Sequence, residues 1–147
     1  MMILVDTNLL IYAYHQGSDS HVPARRWLTS VLEMESLVAL PWSVLLGFLR
    51  LTTNKRVFSA PFNSREATEI VESWLERPNV VALQPGEAYW HIFRDLILET
   101  HAMADVITDA HLAALAIEHG ATLCSTDRDF ARFPGLKLLN PLATSPQ

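Results

Sequence analysis

The stretch ILVDTNLLIYAY, residues 3–14, sets Asp6 between two aliphatic runs. An ionised carboxylate resists leaving water unless it is paired or bound to a cation, so this position needs a reason. Two further acids stand in comparable places. Asp127 follows the apolar run ATLCST, with Asp129 two residues on. Asp109 lies near the start of a helical pattern in which Asp109, Leu112, Ala113, Ala116 and Ile117 share one face, at offsets of three, four, seven and eight. In open parallel sheets, ligands bind beyond the carboxyl ends of the strands. Acids gathered at such an edge repel, and one is forced to hold a proton unless a cation neutralises the group. Carboxylate oxygens suit Mg²⁺ or Mn²⁺. An ion held there can activate water and offset charge developing on a phosphodiester.

Each acid taken singly has a plainer reading. Asp6 fits an N-cap, Asp109 complements a helix dipole, and Asp105 fits a cap or a solvated acid. Asp127 fits a cap for a short turn, with Asp129 exposed. Two strand ends and one helical face together are harder to explain this way.

Other chemistries find little support. His15, His21, His91, His101, His111 and His119 are scattered, and none makes a zinc-binding His-x-x-x-His pair with a catalytic glutamate. His111 lies well around its helix from Asp109 and is expected at or near the surface. The five glycines are isolated, which excludes a phosphate-cradling loop. Ser125 and Thr126 precede Asp127 without a nucleophile elbow. Trp27, Trp42, Trp74 and Trp90 are expected to pack helices, Trp42 being the least certain because it follows a strand. The asparagine two residues after Asp6, Asn8, departs from the paired aspartates of phosphoacceptor enzymes.

The elements that must position the acids follow from hydrophobic pattern and punctuation. Strands are expected at 2–5, 36–41, 79–85, 121–126 and 136–141. Helices are expected at 7–15, 23–35, 42–54, from 63 to the proline at 78, 86–101 and 106–120, with a short helical turn at 127–135. Asn63 and Glu66 suggest a capping box, and Gly120 a helix stop. Strands alternating with helices imply an α/β domain with a parallel sheet covered on both faces.

The chain has 147 residues, half of them hydrophobic and 18% charged, enough for one domain with a real core. Its single cysteine, Cys124, excludes a disulfide framework and suits a reducing compartment. The start lacks a signal-peptide pattern, and the longest apolar run, interrupted by Pro41 and Ser43, falls short of a membrane span. A cytoplasmic protein is expected. Sixteen acids against eleven Lys and Arg give a net charge of −5. That argues mildly against a broad phosphate-binding face but not against an enzyme whose acids hold cations.

Three segments in order, LVDTNLLIYA, LRLTTNKRVFSAP and TDAHLAALAIEHGATLCSTDRDFARFPGLKLLNP, resemble the PIN-domain ribonucleases. More narrowly, they resemble the VapC toxins of bacterial type II toxin–antitoxin systems, especially the mycobacterial group. The resemblance covers nearly the whole chain. It implies a three-layer α/β/α PIN fold with a mostly parallel central sheet, a domain over 1–141 and a short polar tail over 142–147. It implies Asp6, Asp109 and Asp127 as catalytic metal ligands, Asp129 as an auxiliary ligand, and Asn8 and Thr126 as polar supports. The implied reaction is Mg²⁺- or Mn²⁺-dependent hydrolysis of a structured RNA such as tRNA or rRNA. A VapB antitoxin and a homodimer are the implied partners. Arg50, Lys55 and Arg56 are candidates for RNA or antitoxin contact, ahead of Arg128 and Arg132. One departure stands out: PIN nucleases commonly carry a glutamate three residues before an arginine on the helix after the second strand, and here Gly47 precedes Arg50. That leaves two alternatives to a fully populated two-metal site: one tightly held metal, or a silent PIN-like binding module.

Overall fold

A computed structural model describes residues 1–143; of the expected tail, 144–147 lie outside the described residues. Five strands form one sheet in the order β3-β2-β1-β4-β5, and every pairing is parallel. They are β1 (Met2–Val5), β2 (Leu37–Ala39), β3 (Val80–Val81), β4 (Thr122–Cys124) and β5 (Lys137–Leu139). The helices are α1 (Thr7–Tyr14), α2 (His21–Leu32), α3 (Trp42–Thr52), α4 (Ser64–Leu75), α5 (Tyr89–Thr100) and α6 (Asp105–His119). A 3-10 turn, Arg128–Arg132, joins β4 to β5.

From β1 the chain builds outward through β2 and β3, then returns to lay β4 on the other side of β1. The strand order therefore reverses between β1 and β4, and the crevice beyond their carboxyl ends is where an open α/β sheet binds ligands. Registry fixes what faces what there. Val5 pairs with Cys124 and Leu4 with Ala39, so Asp6 emerges level with Ser125 on one side and Pro41 on the other.

The central strands are buried on both faces: Leu4, Val5, Val38, Ala39 and Leu123 are essentially inaccessible. Their apolar runs lack the alternation of a half-exposed sheet for that reason. On α6, Ala110, Ala113, Ala114 and Ala116 are all fully buried. Their small side chains let the helix axis approach the sheet closely, which brings the first turns of α6 over the crevice. Gly120 ends the helix in the left-handed region at φ 66°, as a C-terminal glycine should. Asn63 and Glu66 close the capping box of α4 through both reciprocal bonds.

The expected elements are all present; most have shorter ends, whereas α2 starts at His21 and α6 at Asp105, ahead of the expected 23 and 106. The strands at 36–41 and 79–85 contract to Leu37–Ala39 and Val80–Val81, although Leu40 and Asn79 just outside them still bond across the pair. The helix expected from 86 starts at Tyr89 because the Glu118 carboxylate accepts bonds from the Gly86 and Ala88 amides, at 2.8 and 2.9 Å, and holds that segment as a turn. Not foreseen was the buried Asn79, whose Nδ2 donates to the carbonyls of Val31, Met34 and Ser36 at 3.2, 3.0 and 3.1 Å. It ties the end of α2 to the entry of β3. Trp74 is buried as expected, but Trp42 and Trp90 are 46% and 59% exposed.

The link from α5 into α6 is strained. Ala104, the residue preceding α6, has φ 53° and ψ −127°, a region that glycine occupies freely and alanine does not. Ala104→Gly should raise the unfolding free energy by about 1 kcal/mol, the relief of strain exceeding glycine's entropic cost. Urea denaturation with an unchanged slope is the measurement that checks it.

Candidate metal-dependent active site

Asp6 leaves β1 at its carboxyl end and caps α1. One of its oxygens, Oδ1, accepts from the Thr7 amide at 2.8 Å. The other, Oδ2, accepts from the Ser125 hydroxyl at 2.7 Å. Asp6 is 8% exposed and Ser125 1%. Burial pushes the Asp6 carboxyl up from its usual range, while Ser125 and Thr7 pull it partly back and Asp127 adds repulsion. The cap reading and the ligand reading are therefore compatible: capping occupies one oxygen edge and fixes the rotamer.

Ser125 does the joining that sequence reasoning assigned to Thr126. Its hydroxyl also accepts from the Asp127 amide at 3.0 Å, so one buried serine ties the segment after β1 to the segment after β4. No side-chain hydrogen bond joins Thr126 or the exposed Asn8 to the acids among the described residues. Ser125 was hidden because its role depends on the β1–β4 register, which a single sequence does not encode.

Asp127 caps the 3-10 turn, accepting from the Asp129 amide at 2.9 Å. Asp129 itself is exposed, with Arg132 beside it: the guanidinium Nε donates to the Asp129 carbonyl at 3.0 Å, and its Nη2 lies 3.9 Å from the carboxylate. Asp109, half-buried on the second turn of α6, completes the set. Its carboxyl is pushed up to about 6, first by burial, then by the charges of Asp127 and Asp6, against a lowering from Arg132 and a small further rise from Asp129. The four acids thus share one electrostatic neighbourhood, and the cation among them is Arg132. The higher-ranked Arg50, Lys55 and Arg56 are exposed at the far end of α3. Arg50 lies one helical turn beyond Gly47, and Lys55 and Arg56 follow the end of the helix.

Gly47 borders the same centre. A Cβ there would meet Thr7 Oγ1 at 3.2 Å and Cγ2 at 3.3 Å, so the α3 face lacking a fourth acid packs directly against the residue following Asp6. Among the described residues no three acids, histidines or cysteines already close on one point as a metal cage. The donor set still fits a hydrated hard cation. Mg²⁺ takes one or two carboxylates directly and completes its shell with water, and all the donors here are carboxylate oxygens.

With this geometry in view, the match to known proteins is decisive. The PIN domain family model matches residues 3–136. The chain belongs to the PIN-domain family. Among curated relatives, ribonuclease VapC43 of Mycobacterium tuberculosis is 41% identical over 141 residues, covering 96% of each chain. Solved structures share the PIN fold at lower identity. A toxin–antitoxin complex from Klebsiella pneumoniae gives a TM-score of 0.60 at 19% identity, covering 95% of this chain and 97% of that one. The sarcin–ricin-loop-cleaving toxin VapC20 of M. tuberculosis gives 0.63 at 19%, covering 92% and 98%. No helix of this PIN domain is long and apolar enough to cross a membrane among the described residues.

The crowded acids predict an inverted acid response. A carboxyl whose folded value lies above its unfolded 3.8 favours the native state below 3.8 and loses that contribution as pH rises through about 6. Metal-free protein should therefore gain melting temperature as pH falls from 7 to 5. Asp109→Asn should raise the melting temperature at pH 7 and flatten the slope, and differential scanning calorimetry in chelator reads both.

Proposed function

We propose that this PIN-domain protein is a metal-dependent endoribonuclease acting as the toxin of a type II toxin–antitoxin pair. The reading is carried by Asp6 and Asp127 standing at the switch point of a parallel sheet with Asp109 near them, its carboxyl pushed up to about 6 first by burial and then by the charges of Asp127 and Asp6. Relatives bearing the name VapC ribonuclease over almost the full chain support the substrate class.

Asp6, Asp109 and Asp127 would hold Mg²⁺, or Mn²⁺ in its place, with Asp129 reaching it through water. When bound, the ion supplies Lewis acidity toward the phosphodiester and lowers the pKa of a bound water. The protein's own residues do the rest. Ser125 and the Thr7 amide keep the Asp6 carboxylate in one orientation. The Asp127 cap sets the start of the 3-10 turn, and Arg132 at the rim offers the RNA backbone a guanidinium that matches phosphate geometry. Arg50, Lys55 and Arg56 would engage RNA or antitoxin further along α3. A structured RNA is the expected substrate, and a VapB-type antitoxin covering the acidic crevice would silence the enzyme in the cytoplasm. A homodimer is supported by the exposed apolar side chains of Trp42 and Leu46, one turn apart on α3.

Gly47 leaves fewer carboxylates than a two-metal centre needs, so the free protein should take up one divalent ion tightly and acquire a second only with substrate. Titration calorimetry with Mn²⁺ should give a stoichiometry near one; two tight sites would refute this. Asp6→Ala or Asp109→Ala should lower RNA cleavage by about 10²- to 10³-fold, an effect of the size seen when a charge-stabilising group leaves an active site, and should abolish growth arrest on expression. Absence of Mn²⁺-dependent cleavage by the parent would reduce the protein to a binding module, and unchanged cleavage in both variants would remove these acids from the reaction.

A further inference from the structure

α6 supplies Asp109 to the centre, and two residues later it carries a histidine that the sequence pattern left without a task. The structure gives His111 two partners. Its Nδ1 lies 2.6 Å from the Tyr89 hydroxyl on α5, and its Nε2 lies 3.0 Å from the Ser43 hydroxyl on α3. The rings are packed as well as bonded: Tyr89 stacks on Phe93 at 5.2 Å, and His111 meets Tyr89 edge-on at 5.5 Å.

Both outer partners are themselves fixed. Ser43 sits in the first turn of α3, four residues beyond Ala39, while Asn8 is four beyond Leu4, the residue with which Ala39 pairs. Ser43 thus stands at the same height above the sheet edge as the start of α1, one strand over. Gly47, one turn further along α3, lies against Thr7. The α3 face that carries Ser43 and Gly47 therefore borders the acid centre. At the other end, Glu118 holds the turn before Tyr89 through the Gly86 and Ala88 amides. Glu118 lies seven residues, two helical turns, beyond His111 on the same side of α6.

At the entry to α6, Ala104 makes no side-chain cap bond. Among the described residues, His111 to Ser43 is the side-chain hydrogen bond that ties α6 to α3. With both ring nitrogens engaged, His111 has none left to meet a reacting phosphate, so a direct acid–base role does not fit.

We infer that His111 is a positioning residue. Bonded to Tyr89 and Ser43, it sets the rotation and height of α6, and so where Asp109 presents its carboxylate to Asp6 and Asp127. The inference rests on the metal-centred reading of that acid cluster. It differs from a packing role in one respect. A packing histidine contributes to stability alone, whereas a positioning one changes how well the acids act together.

The experiment compares the parent with His111→Ala, His111→Gln, Tyr89→Phe and Asp6→Ala, each full length. Mn²⁺ affinity is read by the electron paramagnetic resonance signal of the free ion, alongside melting temperature and kcat and KM for RNA cleavage. His111→Ala is expected to weaken Mn²⁺ binding by about tenfold, the lower end for losing a residue that orients ligands, and to lower kcat with little change in KM. His111→Gln, which keeps a donor and an acceptor, should recover part of the affinity. Parent-like Mn²⁺ affinity and kcat in His111→Ala, whatever its melting temperature, would overturn the inference. If His111→Ala does not fold, Tyr89→Phe decides: it removes one hydroxyl, and weaker Mn²⁺ binding supports the role while parent-like binding overturns it. Asp6→Ala separates the two levels. Loss of Mn²⁺ binding and cleavage there, with neither altered in His111→Ala and Tyr89→Phe, defeats the positioning role alone. Unaltered binding and cleavage in Asp6→Ala would overturn the metal-centred reading and this inference together.

Discussion

Mutual repulsion among carboxylates is the constraint around which this molecule is built. Asp6, Asp109 and Asp127 come from the first strand's end, a late helix and the fourth strand's end, and none of them has an ordinary reason to approach the others. Left in water they would separate. The fold buries them near one another, and burial first, with repulsion added to it, pushes the Asp109 carboxyl up to about 6 and raises Asp6 as well. On the proposed reading, a divalent cation would neutralise the cluster, so that each added carboxylate would strengthen its hold on the ion instead of only repelling its neighbours. The repulsion among the acids and the proposed affinity for a cation are two descriptions of one geometry.

The remainder of the structure supplies the rigidity that prevents relaxation. Fully buried strands on either side of the switch point keep the ends of β1 and β4 in register. Ser125 then converts that register into a side-chain lock between the Asp6 carboxylate and the Asp127 amide. The alanines of α6 let the helix settle close to the sheet, and Glu118 and Asn79 tie loops that would otherwise loosen the strand and helix ends. Apolar burial gives the fold its stability, whereas a few buried polar side chains decide where the acids point.

Much of this was legible in the residues themselves. The alternation of apolar runs with amphipathic helices identified the parallel α/β class, and Asn63, Glu66 and Gly120 marked real helix ends. The three principal acids could be singled out because Asp6 and Asp127 follow apolar strand runs and Asp109 shares a helical face with apolar residues. What escaped depends on contacts between distant segments. Ser125 and Thr126 are adjacent hydroxyl residues, and only strand register decides which one meets Asp6. His111 looked idle on a helical wheel because its partners, Ser43 and Tyr89, lie 68 and 22 residues away. Arg132 ranked below the basic residues at and after the end of α3, because its place beside Asp129 shows only once the 3-10 turn is folded.

The account stands on one spatial claim, that these acids form a single cation-binding centre at the β1–β4 crevice. Anomalous diffraction from crystals soaked in Mn²⁺ tests it most directly. The expected result is one strong peak within coordination distance of the Asp6, Asp109 or Asp127 carboxylates, lost in Asp109→Asn. Strong peaks only elsewhere on the molecule, or none at millimolar Mn²⁺, would contradict it.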